Sequence, residues 1–211
     1  MMYFWVLAFV IALALWLVVK WLFIMPAENK FNELARVYFD KQADKRHGTV
    51  TVADGIPALT ISYKTDTIEL AFISNDNDLT QEFTYARFRT ERFPDKKFSM
   101  FVNSKDWVLK PLVIGTRVEL LDERLRELYV VTGNDAAFVN RLLTDEVRDQ
   151  LLKLPLNVKF GRRIDSSRLS GERGWLTVFM QGATAGDEIF DGLVEAAILF
   201  HERLGVMRGE G

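Results

Sequence analysis

The densest chemistry in this chain lies between residues 159 and 173, where Lys159, Arg162, Arg163, Arg168 and Arg173 outnumber Asp165 and Glu172 and are interleaved with Ser166, Ser167, Ser170 and Gly171. Such a segment suits oxyanions. Beside a leaflet of anionic lipid each added cation contributes up to about 1 kcal/mol, so two or three would orient a tethered domain. A solvated hairpin loop facing water is the plainer alternative, and uptake of a small anion at Arg162-Arg163 is a further one. Nucleic acid is disfavoured, because the chain past Met25 carries a net charge of −3 and no basic face.

The other polar clusters favour local structure over chemistry. His47 and His201 have no second His at ligand spacing, and the chain has no Cys, so no metal centre is expected and each His reads as solvent-facing or helix-capping. Asn75-Asp76-Asn77-Asp78 is oxygen-rich but lacks the glycine and the distal bidentate Glu of a calcium loop, which leaves an Asx turn. Gly182-Ala183-Thr184-Ala185-Gly186 precedes a helix, where free amides attract phosphate, yet Asp187 and Glu188 follow and would repel it. No nucleophile stands in an elbow pattern. Asp122, Glu123, Asp145 and Glu146 are acids at helix starts, where carboxylates usually cap. No catalytic residue can be named, and no cofactor is expected.

Something must position these groups. The composition is 49% hydrophobic, with 27 Lys+Arg against 29 Asp+Glu, which allows one ordinary domain and excludes a disulfide-stapled module or a thiol nucleophile. Lys20 is the sole polar residue among the first 25. As one helix, residues 2–25 would reach about 36 Å, enough for a hydrocarbon slab of roughly 30 Å. A single transmembrane anchor over 1–25 is therefore the expectation, with Tyr3, Trp5, Lys20 and Trp21 in the headgroup zones. No basic residue precedes the apolar run and several follow it, which predicts an inner-membrane protein with its C-terminal domain in the cytoplasm.

After Pro26, the positions of Phe31, Leu34, Ala35 and Tyr38 predict a neck helix over 26–47, packed on the chain's own domain or along the membrane. From 48 to 206 an α+β domain is expected, followed by a disordered tail at 207–211. Alternation of period two marks strands around Val50–Val52, Leu59–Tyr63, Ile68–Phe72, Phe83–Tyr85 and Phe98–Val102, a meandering antiparallel sheet. Val118 with Leu120, and residues 125–132, suggest two more. Asp135 and Thr144 can cap helices over 136–143 and 145–154. A late hairpin joins 157–160 to 175–180, and Asp187 opens a last helix to about 204 whose apolar face covers the sheet.

From Gly115-Thr116-Arg117-Val118-Glu119-Leu120, through Leu128-Tyr129-Val130-Val131-Thr132-Gly133-Asn134-Asp135, to Leu142-Leu143-Thr144-Asp145-Glu146-Val147-Arg148, the chain resembles a loose group of uncharacterised bacterial membrane-anchored proteins. The likeness runs mainly from Gly115 to Leu204. It implies a shared order of strands and helices and carries no activity to any residue.

The expectation is thus a single-pass, membrane-anchored, non-catalytic domain that binds a protein partner or the anionic membrane surface. A carboxylate-dependent enzyme or a small-anion sensor is the alternative. Membrane lipid and a protein are the expected partners; oligomeric state is not readable.

Overall fold

Period-two alternation does build strands where the sequence places them. The computed structural model describes residues 2–19, 25–53, 56–74, 82–90, 92–103, 116–162, 173–182 and 186–207. Strands β1 (Thr49–Ala53), β2 (Ile56–Tyr63), β3 (Asp66–Ser74) and β4 (Glu82–Arg89) pair in sequence as an antiparallel meander. β5 (Phe98–Val102) does not continue it. The hairpin of β8 (Asn157–Arg162) and β9 (Arg173–Gln181) inserts between β4 and β5, and β7 (Tyr129–Gly133) and β6 (Thr116–Arg117) follow, so the order is β1-β2-β3-β4-β9-β8-β5-β7-β6. Every pairing is antiparallel. The sheet is therefore a meander interrupted by a late hairpin.

Helices α1 (Met2–Val19) and α2 (Met25–Arg46) precede the sheet; α3 (Glu123–Leu128), α4 (Ala136–Leu142), α5 (Asp145–Lys153) and α6 (Asp187–Met207) lie within or after it. The chain is α+β, with an antiparallel sheet and helices. The single transmembrane helix expected over 1–25 is not found: among the described residues no helix is long and apolar enough to cross a membrane. The expectation needed one helix running through Lys20 to Met25. The described part of α1, Met2–Val19, has 18 residues, roughly 27 Å and short of a hydrocarbon slab of about 30 Å; residues 20–24 lie outside the described residues.

Residues 125–128 were expected to extend a strand and form α3 instead. The Asp122 carboxylate accepts from the amides of Arg124 at 2.9 Å and Leu125 at 3.2 Å; this cap, with good helix formers in Glu-Arg-Leu-Arg-Glu-Leu, outweighs the alternation. β6 ends at Arg117, although Val118 still donates to the Val131 carbonyl at 2.9 Å. Asp135 and Thr144 cap α4 and α5 as their spacing predicts. Asp187 lies inside the first turn of α6, and Met207 is its last residue; 208–211 lie outside the described residues, as do Asn75 to Asp78.

One core joins helices α2 to α6 to one face of the sheet. Phe39 of α2 is fully buried against Phe72, 5.2 Å between ring centroids, and Phe190 of α6, 5.8 Å. Leu59, Leu70, Phe88, Val178 and Phe160 supply the sheet side, with Leu193 and Phe200 of α6 above them. α5 and α6 approach closely at Gly192, where a Cβ would collide with Leu154 Cδ2, and Gln150 Nε2 donates to the Gly192 carbonyl at 3.1 Å. Of the stripe expected on α2, Ala35 lies in the core and Tyr38 packs against it, with Phe39 and Gln42 buried beside them, so this part of α2 packs on the domain itself; the side chains of Phe31 and Leu34 lie outside those described.

Candidate functional site

The second face of the sheet holds the unusual chemistry. Strict antiparallel register brings one polar residue from each strand into a continuous row: Thr49, Thr60, Glu69, Arg87, Thr177, Lys159, Ser99, Thr132 and Arg117. Residues directly opposite in such a sheet stand about 4.5–5.5 Å apart at Cβ, so each side chain in the row can address its neighbours. Beside it, Ala58, Ala71, Phe83, Tyr85 and Phe179 form a second buried apolar cluster, with Phe101 against it, drawn entirely from strands.

At the centre of the row Arg87 is 3% exposed. Its guanidinium lies 4.9 Å from the Tyr85 ring and 4.9 Å from the Trp175 ring, a stacked position that its planar, weakly hydrated cation tolerates better than an ammonium would. Its Nη2 donates to Glu69 Oε1 at 2.6 Å, and the Tyr85 hydroxyl donates to the same oxygen at 3.0 Å. Thr177 sits directly opposite Arg87 on one side and Lys159 on the other. Its hydroxyl is buried and has no hydrogen-bond partner.

Of the basic residues the sequence singled out, only Lys159 has a described side chain, and it faces this row, half-buried. Arg162 and Arg173 pair at the end of the β8–β9 hairpin next to the connection 163–172; Arg163 and Arg168 lie outside the described residues. Among the expected headgroup-zone residues, Trp5 is exposed on α1, Tyr3 falls in α1, and Lys20 and Trp21 lie outside the described residues. Arg87, Glu69, Trp175 and Thr177 were not visible as a site in the sequence, because nothing there says that both faces of the sheet are buried. The Tyr85-x-Arg87 spacing, a cation two residues from an aromatic on one strand face, was the available signal.

The remaining candidates are structural. His201 is buried in α6, not solvent-facing or capping as expected: its Nε2 lies 2.6 Å from Asp66 Oδ2, and its ring is edge-on to Tyr63 and Phe88. A His–carboxylate pair is two-thirds of a hydrolytic triad, but Nδ1 is buried without a partner, so among the described residues no nucleophile stands at it. The pair clamps α6 to the β2–β3 turn. Beside it Glu202 accepts from the Tyr63 hydroxyl at 2.6 Å and from Lys64 at 2.7 Å; Lys64, then Tyr63, hold its carboxyl below the usual range. His47 ends α2 with φ 54°, and the Gly48 amide donates to the Ala43 carbonyl at 3.0 Å, a left-handed helix stop.

The acids at helix starts are likewise occupied. Arg124, and then the Leu125 amide, depress Asp122, the opposite of what a general acid requires; Arg148 pairs with Asp145 and Arg126 with Glu123. At the start of α6, Asp187 accepts from the Tyr38 hydroxyl at 2.9 Å and Gln42 Nε2 at 2.6 Å, which fills the end where a phosphate would sit. Among the described residues no three His, Asp or Glu side chains gather as a metal site. Comparison with family models, curated proteins and solved structures finds no match to this chain.

Proposed function

We propose that this chain is a non-catalytic binding domain held at a lipid bilayer through helix α1. The observation that supports this reading is the surface of α1. Trp5 and Phe9 are 71% and 69% exposed, and Val10, Ile11, Leu13, Leu15, Trp16, Leu17 and Val18 are exposed with them. At about 100° per residue these positions surround the helix axis and leave no polar face. A groove on a protein would cover one stripe and leave the rest in water, whereas acyl chains cover every side. The non-catalytic part of the reading is supported by Asp122, Glu123 and Asp145, paired with cations or backbone amides, and by the His201 ring, which among the described residues faces no nucleophile.

Flotation of the full chain on vesicles tests it. Wild type is expected to float with neutral and anionic vesicles alike, because the attraction is apolar, and Phe9→Arg with Leu13→Arg is expected to leave the chain at the bottom. Wild type that fails to float on either vesicle overturns the reading; flotation only on anionic vesicles would move the contact to the basic residues.

A further inference from the structure

We propose that strand β1 pairs with the β1 of a second copy of this chain, extending the antiparallel sheet across a two-fold axis through Thr51. β1 is an outer strand and, among the described residues, pairs with β2 alone. Its other edge presents a row of amides and carbonyls that another extended strand satisfies in full. Thr49, Thr51 and Val52 are exposed, Val52 at 55%, which leaves room for one. The opposite edge of the sheet is guarded: β6 has only two residues, and one of them is the exposed cation Arg117. β1 carries neither guard. Its five residues, Thr-Val-Thr-Val-Ala, hold no charge and no proline, and their register on β2 runs without a bulge.

The order of these residues selects the partner. A one-residue slip in register moves every side chain of a strand to the other face. A two-fold at Thr51 pairs all five positions, sets Val50 against Val52 on both sides of the axis and Thr51 against itself, whereas an axis half a step away pairs four positions and opposes valine to threonine. Val50 is half-buried against the core and Val52 follows it on the same face, exposed. The axis at Thr51 therefore lays each exposed valine beside the half-buried valine of the other copy, and β-branched pairs of this kind stabilise sheets. The neutral edge meets its own copy with no like charges opposed. A five-residue ladder is small against the roughly 1,200 Å² of a lasting interface, so the dimer is weak and concentration-dependent. This inference goes beyond the lipid reading, since none of these residues belongs to α1.

Cysteine crosslinking of the full chain in mild non-ionic detergent tests it, because the chain has no Cys of its own. Thr51→Cys puts two thiols at the axis, within the Cα separation of about 4.4–6.8 Å that a disulfide needs, and mild oxidation is expected to give a covalent dimer. Leu121→Cys, at a position 82% exposed, is expected to stay monomeric under the same oxidation. Sedimentation over a concentration series then reads the chain without cysteines. Thr51→Lys and Thr51→Glu are each expected to weaken the dimer about tenfold or more, through like charges directly opposite each other, and mixing the two variants is expected to restore it. Thr51 is exposed, so neither change costs the fold much, and restoration by mixing excludes misfolding as the cause. Three results overturn the proposal: Thr51→Cys that crosslinks no faster than Leu121→Cys, single-charge variants that associate as wild type does, as they would through α1, or a mixture that associates no better than its parts.

Discussion

The Glu69–Arg87 pair gives the sharpest test of how this sheet is held together. Arg87→Leu removes the cation, its 2.6 Å bond to Glu69 and both ring contacts. Breaking a buried pair costs about 3–5 kcal/mol, chiefly through the charge left behind; Glu69 is 28% exposed on its side chain and recovers some water, so about 3 kcal/mol is expected. Glu69→Leu removes an acceptor from a cation that is 3% exposed and from the Tyr85 hydroxyl, so about 4 kcal/mol is expected. The double variant removes both charges of the pair, and should cost only about 1–2 kcal/mol. The two single losses therefore exceed the double loss by several kcal/mol. Urea unfolding followed by circular dichroism and tryptophan fluorescence, at constant slope, measures all three. If the double loss equals the sum of the singles within about 0.5 kcal/mol, the pair does not act as a coupled buried unit and the reasoning fails.

Phe39→Ala should cost about 3–5 kcal/mol in the same assay, since Phe39 is fully buried against Phe72 and Phe190; a loss under about 1 kcal/mol would mean that α2 is not part of the core. Burial, and then the bond to Asp187, push the Tyr38 hydroxyl up to about 12. A raised folded value stabilises below the ordinary tyrosine range near 10 and fades as pH rises through the folded value, so wild type should lose more melting temperature than Tyr38→Phe between about pH 10 and 12; parallel curves would sink this. Glu202 works with the opposite sign. Its depressed carboxyl stabilises above the unfolded value of about 4.3, and that stability is lost as pH falls through the lower folded value, so Glu202→Gln should flatten the melting curve below about pH 4, and an unchanged acid slope would refute it.

Legibility in the sequence followed the range of the interactions. The strands at Val50, Leu59, Ile68, Phe83 and Phe98 and the caps at Asp135 and Thr144 were readable because alternation and a capping oxygen act within a few residues. Residues 125–128 misled because Leu125 and Leu128 suit a strand and a short helix alike, and the Asp122 cap decided between them. The place of β8–β9 between β4 and β5 was invisible, since it depends on Phe83 meeting Gln181 across nearly a hundred residues. The same reason hid the site: Glu69, Arg87 and Thr177 are unremarkable one by one and become a unit only through register. His201 was misjudged for want of its partner, Asp66, 135 positions away.

Helix α2 belongs to the domain. Its second half is fixed to the domain by Ala35 and Phe39 in the core, by Tyr38 and Gln42 on Asp187, and by Lys45 and Arg46 on Asp191. Only residues 20–24 separate it from α1, and five residues reach at most roughly 18 Å even fully extended. If α1 lies among acyl chains as proposed, the domain stays close to the bilayer, because the chain enters a helix packed into the core within that reach.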